Sequence, residues 1–323
     1  MPPQPAPRGG FLIVLTMLAM LSVPAGLTLH TARVAPQIPG PIAASSPYGY
    51  TVSLLLFVVP IVVILFWLVP AEQLKISKKS LVRTVALLFP LGAGLDFFFA
   101  KKFLTFPNPD ATLRIPAPAI GGSVPIEEYL FYFTGFVAVL LLYVWLDEYW
   151  LAAYSVPVDS AERTNFTRLL QFHPWSLIAG VLLIAAAIAF RKLFVVEPGF
   201  PGYFVFLVIG ALGPSSMLLP SAMPVVNWRA LSLTVFFILL MSLMWEATLG
   251  VPYGWWGFQD AQMLGIFITA WSRLPVEEVV VWIAVSYATV IVYEVVRRWQ
   301  SSGKRMRHAF LGQGAQKNAL TRS

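Results

Sequence analysis

Long apolar runs, separated by short segments rich in polar residues, Pro and Gly, make up most of this chain. A helix of about 20 residues, with a rise of about 1.5 Å per residue, crosses a hydrocarbon core of about 30 Å. The pattern therefore predicts eight membrane-spanning helices, near residues 11–30, 50–70, 81–100, 124–146, 174–194, 201–220, 230–249 and 275–296. We expect the run at 11–30 to be a retained anchor rather than a signal peptide, because no small-residue cleavage site follows it.

The composition agrees with an all-α integral membrane protein. Apolar residues make up 58% of the chain and charged residues only 11%, which is too few charges to cover a soluble fold of this size. The absence of cysteine excludes disulfides, thiolate nucleophiles and cysteine-ligated metals. His30, His173 and His308 lack the spacing of metal ligands, so we expect neither a metal nor a cofactor.

The basic residues are concentrated on one predicted side of the membrane. With the amino terminus inside, fifteen of the 22 Lys and Arg residues fall on the cytoplasmic side. Seven of the fifteen form a carboxy-terminal basic segment: Arg297, Arg298, Lys304, Arg305, Arg307, Lys317 and Arg322. These charges predict a multi-pass cell-membrane protein with cytoplasmic termini, whose basic tail contacts anionic lipid rather than nucleic acid.

An internal repeat appears when the chain is aligned with itself at an offset of 150 residues. The acidic residues coincide best, as Asp96 with Glu246, Asp110 with Asp260, Glu127 with Glu277 and Glu128 with Glu278. Eight of the fifteen acids fall in these pairs, which random placement would not produce. We predict two tandem repeats, each with an extra helix, at 1–150 and 174–300, a linker at 151–173 and a basic, disordered tail at 301–323.

The motif Pro-x-Glu-Glu opens a long apolar helix in each half. It occurs as Pro125-Ile126-Glu127-Glu128 and as Pro275-Val276-Glu277-Glu278. Proline suits the first position of a helix, and carboxylates in the first turn meet the positive end of the helix dipole. That purely structural explanation remains open for either copy alone, but the recurrence of the motif in register favours a functional pair.

Each motif is preceded by another acid, Asp96 or Glu246, 31 residues before the first glutamate. An acid within the bilayer is costly and usually marks a pathway or a site, although both residues fall near helix ends and could be interfacial. Desolvation penalises the charged form of a carboxylic acid, so an acid in an apolar pocket keeps its proton and can act as a general acid. Consecutive helical residues point about 100° apart, so one glutamate of each pair should face such a pocket.

Aromatic residues are abundant near these acids. They are Phe97, Phe98, Phe99, Phe106, Phe131, Tyr132 and Phe133 in the first half, and Trp245, Tyr253, Trp255, Trp256, Phe258, Trp271 and Trp282 in the second. An interfacial aromatic belt is one explanation, and stabilisation of a cationic intermediate by ring faces is the other. No dinucleotide, P-loop or diphosphate-magnesium motif accompanies them. Acids, aromatics and apolar surroundings together favour proton-initiated rearrangement of a hydrophobic polyene.

The sequence Pro125-Ile126-Glu127-Glu128-Tyr129-Leu130-Phe131, with its second copy at Pro275, resembles the signature of the membrane lycopene cyclase domain of bacteria, archaea and fungi. That family occurs as two small subunits or as one fused chain, and this chain is similar to the fused form over residues 48–148 and 198–298. The second copy departs from the pattern, since Val279-Val280-Val281-Trp282 follows Glu278. The two halves are therefore not expected to be equivalent.

The resemblance implies an isomerase, an intramolecular lyase that cyclises the linear ends of lycopene to β-ionone rings without a cofactor. It implies Glu127 and Glu277 as acids, Glu128 and Glu278 as proton partners or bases, and Asp96 and Glu246 as supporting residues. Its partners are a linear carotenoid in the bilayer, membrane lipid and other enzymes of carotenoid synthesis. Two alternatives remain open at this point: a carotenoid end-group hydratase, and a proton-coupled transporter.

Overall fold

The structure, a computed structural model, describes residues 47–71, 76–158 and 165–312. Within these residues seven helices are long and apolar enough to cross a membrane. They are α1 Gly49–Trp67, α2 Lys78–Phe103, α3 Ile126–Trp150, α4 Pro174–Phe194, α5 Gly202–Ala222, α6 Trp228–Gly250 and α7 Val276–Ser301. Each predicted span from 50–70 onward is confirmed to within five residues at either end, whereas the predicted span at 11–30 lies outside the described residues. The fold is that of an all-α, multi-pass membrane protein.

Four of these helices contain a π-helical turn, which the apolar pattern did not predict. The turns are Ile64–Leu68 in α1, Leu146–Trp150 at the end of α3, Val208–Leu212 in α5 and Glu246–Gly250 at the end of α6. A π turn inserts one extra residue into the helix and is often found at functional sites. In α6 the turn begins at Glu246, one of the acids that the sequence singles out.

Six short strands form three antiparallel pairs in the loops that follow α2 and α6. They are β1 Leu104–Thr105 with β4 Gly257–Phe258, β2 Pro116–Ala119 with β3 Gly122–Pro125, and β5 Phe267–Ile268 with β6 Leu274–Pro275. The β1–β4 pair joins the two loops to each other. Both loops therefore cover the same end of the helix bundle, the end at which α2 and α6 finish and α3 and α7 begin.

The two prolines of the motif end strands instead of starting helices. Pro125 closes β3 and Pro275 closes β6, and each has an extended ψ of 145° immediately before the first helical residue. The expectation of a first helical position was wrong by one residue. The reason is local, because the hairpin strand runs directly into the helix and leaves no separate turn between them.

Helices α3, α6 and α7 form the centre of the bundle. In each of them 56% of the residues in the most apolar 18-residue stretch are buried, whereas only 11% are buried in α4, which lies at the periphery. Fully buried Leu140, Tyr143, Ile291 and Tyr293 fill the space between the central helices. A short helix α8, Met306–Leu311, follows α7 within the segment expected to be disordered, and its Ala309 carbonyl accepts the amide of Leu169 in the predicted linker.

Candidate active site

The four glutamates of the two motifs lie at the covered end of the bundle. They occupy the first turns of α3 and α7, and none of them is more than 6% exposed. The hairpin strands β3 and β6 lead directly into these turns, while the loops after α2 and α6 fold over them. Each motif thus places two adjacent carboxyl groups in a buried position.

Glu127 and Glu277 bind the covering loops. Oε1 of Glu127 accepts the backbone N–H of Leu113 at 2.7 Å and the hydroxyl of Thr51 at 2.5 Å. Oε1 of Glu277 accepts the backbone N–H of Leu264 at 2.5 Å. In both halves, therefore, the first glutamate of the pair fastens a loop to the start of a helix.

Glu128 and Glu278 face in another direction, towards a cavity inside the bundle. The hydroxyl of Tyr50 donates to Oε1 of Glu128 at 2.5 Å, and Tyr203 makes the corresponding hydrogen bond to Glu278. Both glutamates line the cavity, whereas Glu127 and Glu277 do not. This is the 100° separation expected of neighbouring helical residues.

Asp96 and Glu246 join the same cluster from α2 and α6. Each is only 2% exposed, so neither is an interfacial residue in contact with water. Asp96 is hydrogen-bonded by Tyr132, and Oε1 of Glu246 accepts the indole N–H of Trp282 at 2.6 Å. An aromatic side chain from α3 or α7 therefore orients each of these acids.

The carboxyl groups of Glu246 and Glu278 lie within hydrogen-bonding reach of each other. Oε2 of Glu246 and Oε1 of Glu278 have no other donor in the part of the chain that the structure describes. Because an ionised carboxylate has no proton to donate, a hydrogen bond between two carboxyl groups needs a proton on one of them. A proton shared by these two carboxyl groups would lie next to the cavity.

The cavity has a volume of about 110 Å³ and lies between the two halves of the chain. Three acids line it, Glu128, Glu246 and Glu278, and its described lining contains no Lys or Arg. Ten of the eighteen remaining wall residues are aromatic, among them Phe131, Tyr132, Trp245, Trp256, Phe258 and Trp282. Carboxyl groups and ring faces without a competing cation form an environment that stabilises positive charge.

The aromatic residues divide into two groups. Six of the ten aromatic residues in the cavity wall are among the fourteen singled out from the sequence, and several of their rings are in contact, as Trp245 is with Trp256 at a centroid distance of 4.5 Å. Phe97, Phe98 and Phe133 instead lie exposed on the outer surface. Only part of the aromatic cluster therefore belongs to the site.

Two tyrosines of the site, Tyr50 and Tyr203, are absent from the set of residues selected by sequence. Each follows a glycine at the first position of a membrane span, as Gly49-Tyr50 and Gly202-Tyr203. That repeated Gly-Tyr start was a signal that could have identified them. It is weak by itself, because tyrosine is common where helices enter the membrane interface.

No family model, curated protein or solved structure matches this chain.

Proposed function

We propose that this chain is a carotenoid cyclase, an isomerase that closes the linear end groups of lycopene to β-ionone rings by acid catalysis without net redox change. The observation that carries the proposal is the gathering of acids from both halves around one aromatic-lined cavity. A ring closure of this type needs a proton donor, a proton acceptor, a place for a carbocation and little water. Each requirement has a counterpart among the residues of the cavity.

In the proposed reaction the Glu246–Glu278 pair supplies the proton. The proton adds to C2 of an end group, which leaves a tertiary cation at C1. The C5=C6 double bond attacks C1, so that the C1–C6 bond forms and the positive charge moves to C5. Loss of the proton from C6 restores the C5=C6 double bond, and the product is an isomer of the substrate.

Glu128 is the proposed acceptor of the C6 proton. It lines the same cavity, is held by the hydroxyl of Tyr50 and has Asp96 as its acidic neighbour. Glu127 and Glu277 are assigned the positioning of the loops instead of proton transfer, because their carboxylates accept loop hydrogen bonds and do not line the cavity. The acid roles implied by the family resemblance thus move by one residue in each motif.

The cation is proposed to lie among the rings of Trp245, Trp256 and Trp282. Trp faces attract cations, by about 2 kcal/mol or more when the site is desolvated. Trp282 is also fixed in place, by its hydrogen bond to Glu246 and by stacking on Phe57 with a centroid distance of 5.9 Å. A fixed ring offers its face to the developing charge without reorganisation.

Hydratase and transporter activities are less well supported. A hydratase must hold a water molecule beside the C1 cation, whereas most of the cavity wall is aromatic or aliphatic. A transporter needs a path across the membrane, and beyond the cavity the interior is filled by side chains with no exposed surface. These are Leu140, Leu141, Val290 and Ile291.

A duplicated architecture of eight spans is part of the proposal. Equivalent contacts recur in the two halves, since Asp96 pairs with Tyr132 as Glu246 pairs with Trp282, in each case 36 residues later. The Leu113–Glu127 and Leu264–Glu277 hydrogen bonds also correspond, with spacings of 14 and 13 residues. Such recurrence supports descent from one duplicated unit, with residues 11–30 providing the additional span.

The test is expression in a bacterium that accumulates lycopene, followed by identification of the pigments by chromatography. We expect lycopene to be converted to products with one or two β rings. A hydroxylated acyclic product would indicate the hydratase instead. Unchanged lycopene, with the protein demonstrated in the membrane fraction, would contradict the proposed function.

A further inference from the structure

The acid-containing cavity extends sideways to the outer surface of the bundle. Its wall includes Leu95 from α2, Gly135 from α3 and Gly210 from α5. Gly135 is buried, yet a Cβ atom placed on it would have no heavy atom within 4 Å, so it borders empty space. Gly210 is exposed, and a Cβ atom there would meet only the ring of Phe206, at 3.6 Å and beyond. The cavity therefore reaches the surface at Gly210.

This opening lies at mid-membrane depth. Leu95 is eight residues before the end of α2, Gly135 is nine residues after the start of α3, and Gly210 is eight residues after the start of α5. At 1.5 Å per residue, all three lie about 12 to 14 Å from the covered end of the bundle. The hydrocarbon core is about 30 Å thick, so the opening faces acyl chains rather than water.

The opening lies in the seam between helices α2 and α5. Nearer the loops, aromatic contacts close this seam. The ring centroids of Phe99 and Phe206 are 5.0 Å apart, and those of Phe103 and Tyr203 are 5.1 Å apart. Below these contacts the two helices present Leu95, Leu207, Gly210 and Ala211 to the cavity, and none of these is aromatic. The seam is thus sealed on the loop side and open on the lipid side.

We infer that this opening, bordered by Leu95, Gly135 and Gly210, is the entrance through which a long, linear, apolar chain enters from the bilayer. One end of the chain reaches the carboxyl groups while the rest stays in the seam and in the lipid. The inference rests on the proposed function for the identity of that chain, an acyclic polyene. It makes Gly135 and Gly210 determinants of specificity, because a side chain at either position occupies the space the polyene needs.

Three leucine substitutions test this inference. Gly135→Leu and Gly210→Leu should lower the conversion of lycopene by at least about tenfold, since one or two methylenes in an apolar pocket already change discrimination by that amount. Gly94→Leu is the matched control, because Gly94 also has no heavy atom within 4 Å of an added Cβ and does not line the cavity. An unchanged rate of lycopene conversion in both Gly135→Leu and Gly210→Leu, with the wild-type chain active, would overturn the inference.

A second measurement does not depend on turnover. The chain contains no cysteine, so a spin label on Ala211→Cys reports that position alone. In lipid nanodiscs we expect high accessibility to oxygen, low accessibility to a water-soluble nickel complex, and a fall in oxygen accessibility when lycopene is added. The same label on Leu182→Cys, on the exposed face of α4, should not respond to lycopene.

The two measurements separate failure of the entrance from failure of the proposed function. If the proposed cyclase function is wrong but the entrance exists, the wild-type chain will form no cyclic pigment, while the label at Ala211→Cys will still respond to lycopene. If the entrance is wrong, the label at Ala211→Cys will not respond to lycopene, or it will be more accessible to the nickel complex than to oxygen.

Discussion

Each Pro-x-Glu-Glu pair places two neighbouring carboxyl groups in two different environments. Glu277 accepts a backbone N–H from a loop, while Glu278 lies in the cavity with Glu246 and Tyr203 as neighbours. A carboxyl group that accepts a backbone hydrogen bond fastens a loop, whereas one that faces another carboxyl group can share a proton with it. The chemistry proposed for this chain depends on that difference.

Substitution by glutamine separates the two roles. Glu278→Gln preserves the size of the side chain and an acceptor for Tyr203 but removes the proton transfer, so we expect cyclisation to fall by about 10² to 10⁴. Glu277→Gln keeps an amide oxygen that can accept the Leu264 N–H, and it should retain activity within about tenfold of the wild type. Both variants would be assayed by pigment chromatography at equal protein levels in the membrane.

A reversed order would contradict the assignment. If Glu277→Gln were inactive and Glu278→Gln active, the first glutamate of the motif would be the acid, as the family resemblance implies. Glu127→Gln and Glu128→Gln repeat the comparison in the first half, where Thr51 and Leu113 hold one residue and Tyr50 the other. Agreement between the halves would show that the roles are set by position in the motif.

At the scale of the helices, the sequence predicts where each helix begins and ends, but it does not predict which side chains the helix contacts. A span is recognised by its apolar length, which is a local property, and the seven described helices accordingly begin and end near their predicted bounds. Which glutamate faces the cavity depends on where the loops after α2 and α6 settle. Contacts such as Leu113 with Glu127 arise only when those loops fold back.

The end of α7 illustrates the same limit. Arg297 and Arg298 were counted with the basic tail expected at the membrane surface, but both are largely buried. The guanidinium of Arg297 lies 3.1 Å from Glu294 and 3.4 Å from Asp147, and Tyr143 also donates to Glu294. Asp147 is 150 residues away in sequence, so the pairing became visible only in the folded bundle.

This ionic cluster gives a prediction for stability. Arg297→Met would leave Glu294 and Asp147 buried without their cation, and we expect a loss of about 3 to 5 kcal/mol in the free energy of unfolding. Arg114→Met removes an exposed pair with Asp110 and should cost no more than about 1 kcal/mol. Denaturant unfolding of the purified protein in detergent would measure both.

Equal losses in these two variants would mean that the buried cluster accommodates its acids in another way, by protonation or by water. The comparison is informative because both variants remove one arginine from an ion pair. They differ in exposure, since the side chain of Arg297 is 13% exposed and that of Arg114 is 68% exposed. Burial is therefore the variable that the experiment isolates.

At the scale of the whole molecule, the two halves meet at one cavity instead of forming two separate sites. Glu128 comes from the first half, whereas Glu246 and Glu278 come from the second. In the proposed reaction the proton donor and the proton acceptor therefore belong to different halves. The difference in sequence between the two motifs then corresponds to a difference in role. Trp282 occupies the position that corresponds to Tyr132 and donates a hydrogen bond to Glu246.

The orientation of this cavity in the membrane follows from the distribution of basic residues. Among the described residues, ten Lys and Arg lie at the Ser301 end of the bundle and six at the cavity end. Each count includes a buried residue: Arg191 at the cavity end is 2% exposed and hydrogen-bonds the carbonyl of Asp260, and Arg298 at the Ser301 end is 8% exposed and hydrogen-bonds the carbonyl of Ser221. Because basic loops remain in the cytoplasm, the Ser301 end should be cytoplasmic and the cavity end external.

Cysteine labelling tests this orientation without interference, because the chain has no cysteine of its own. A membrane-impermeant maleimide should label Ser123→Cys, exposed in β3 at the cavity end, in intact cells. Ser301→Cys, exposed at the end of α7, should react only after the cells are permeabilised. The opposite pattern would place the carboxy terminus outside. Even then the entrance at Gly210 would still face lipid, since it lies about 12 Å from one end of α5 and about 18 Å from the other.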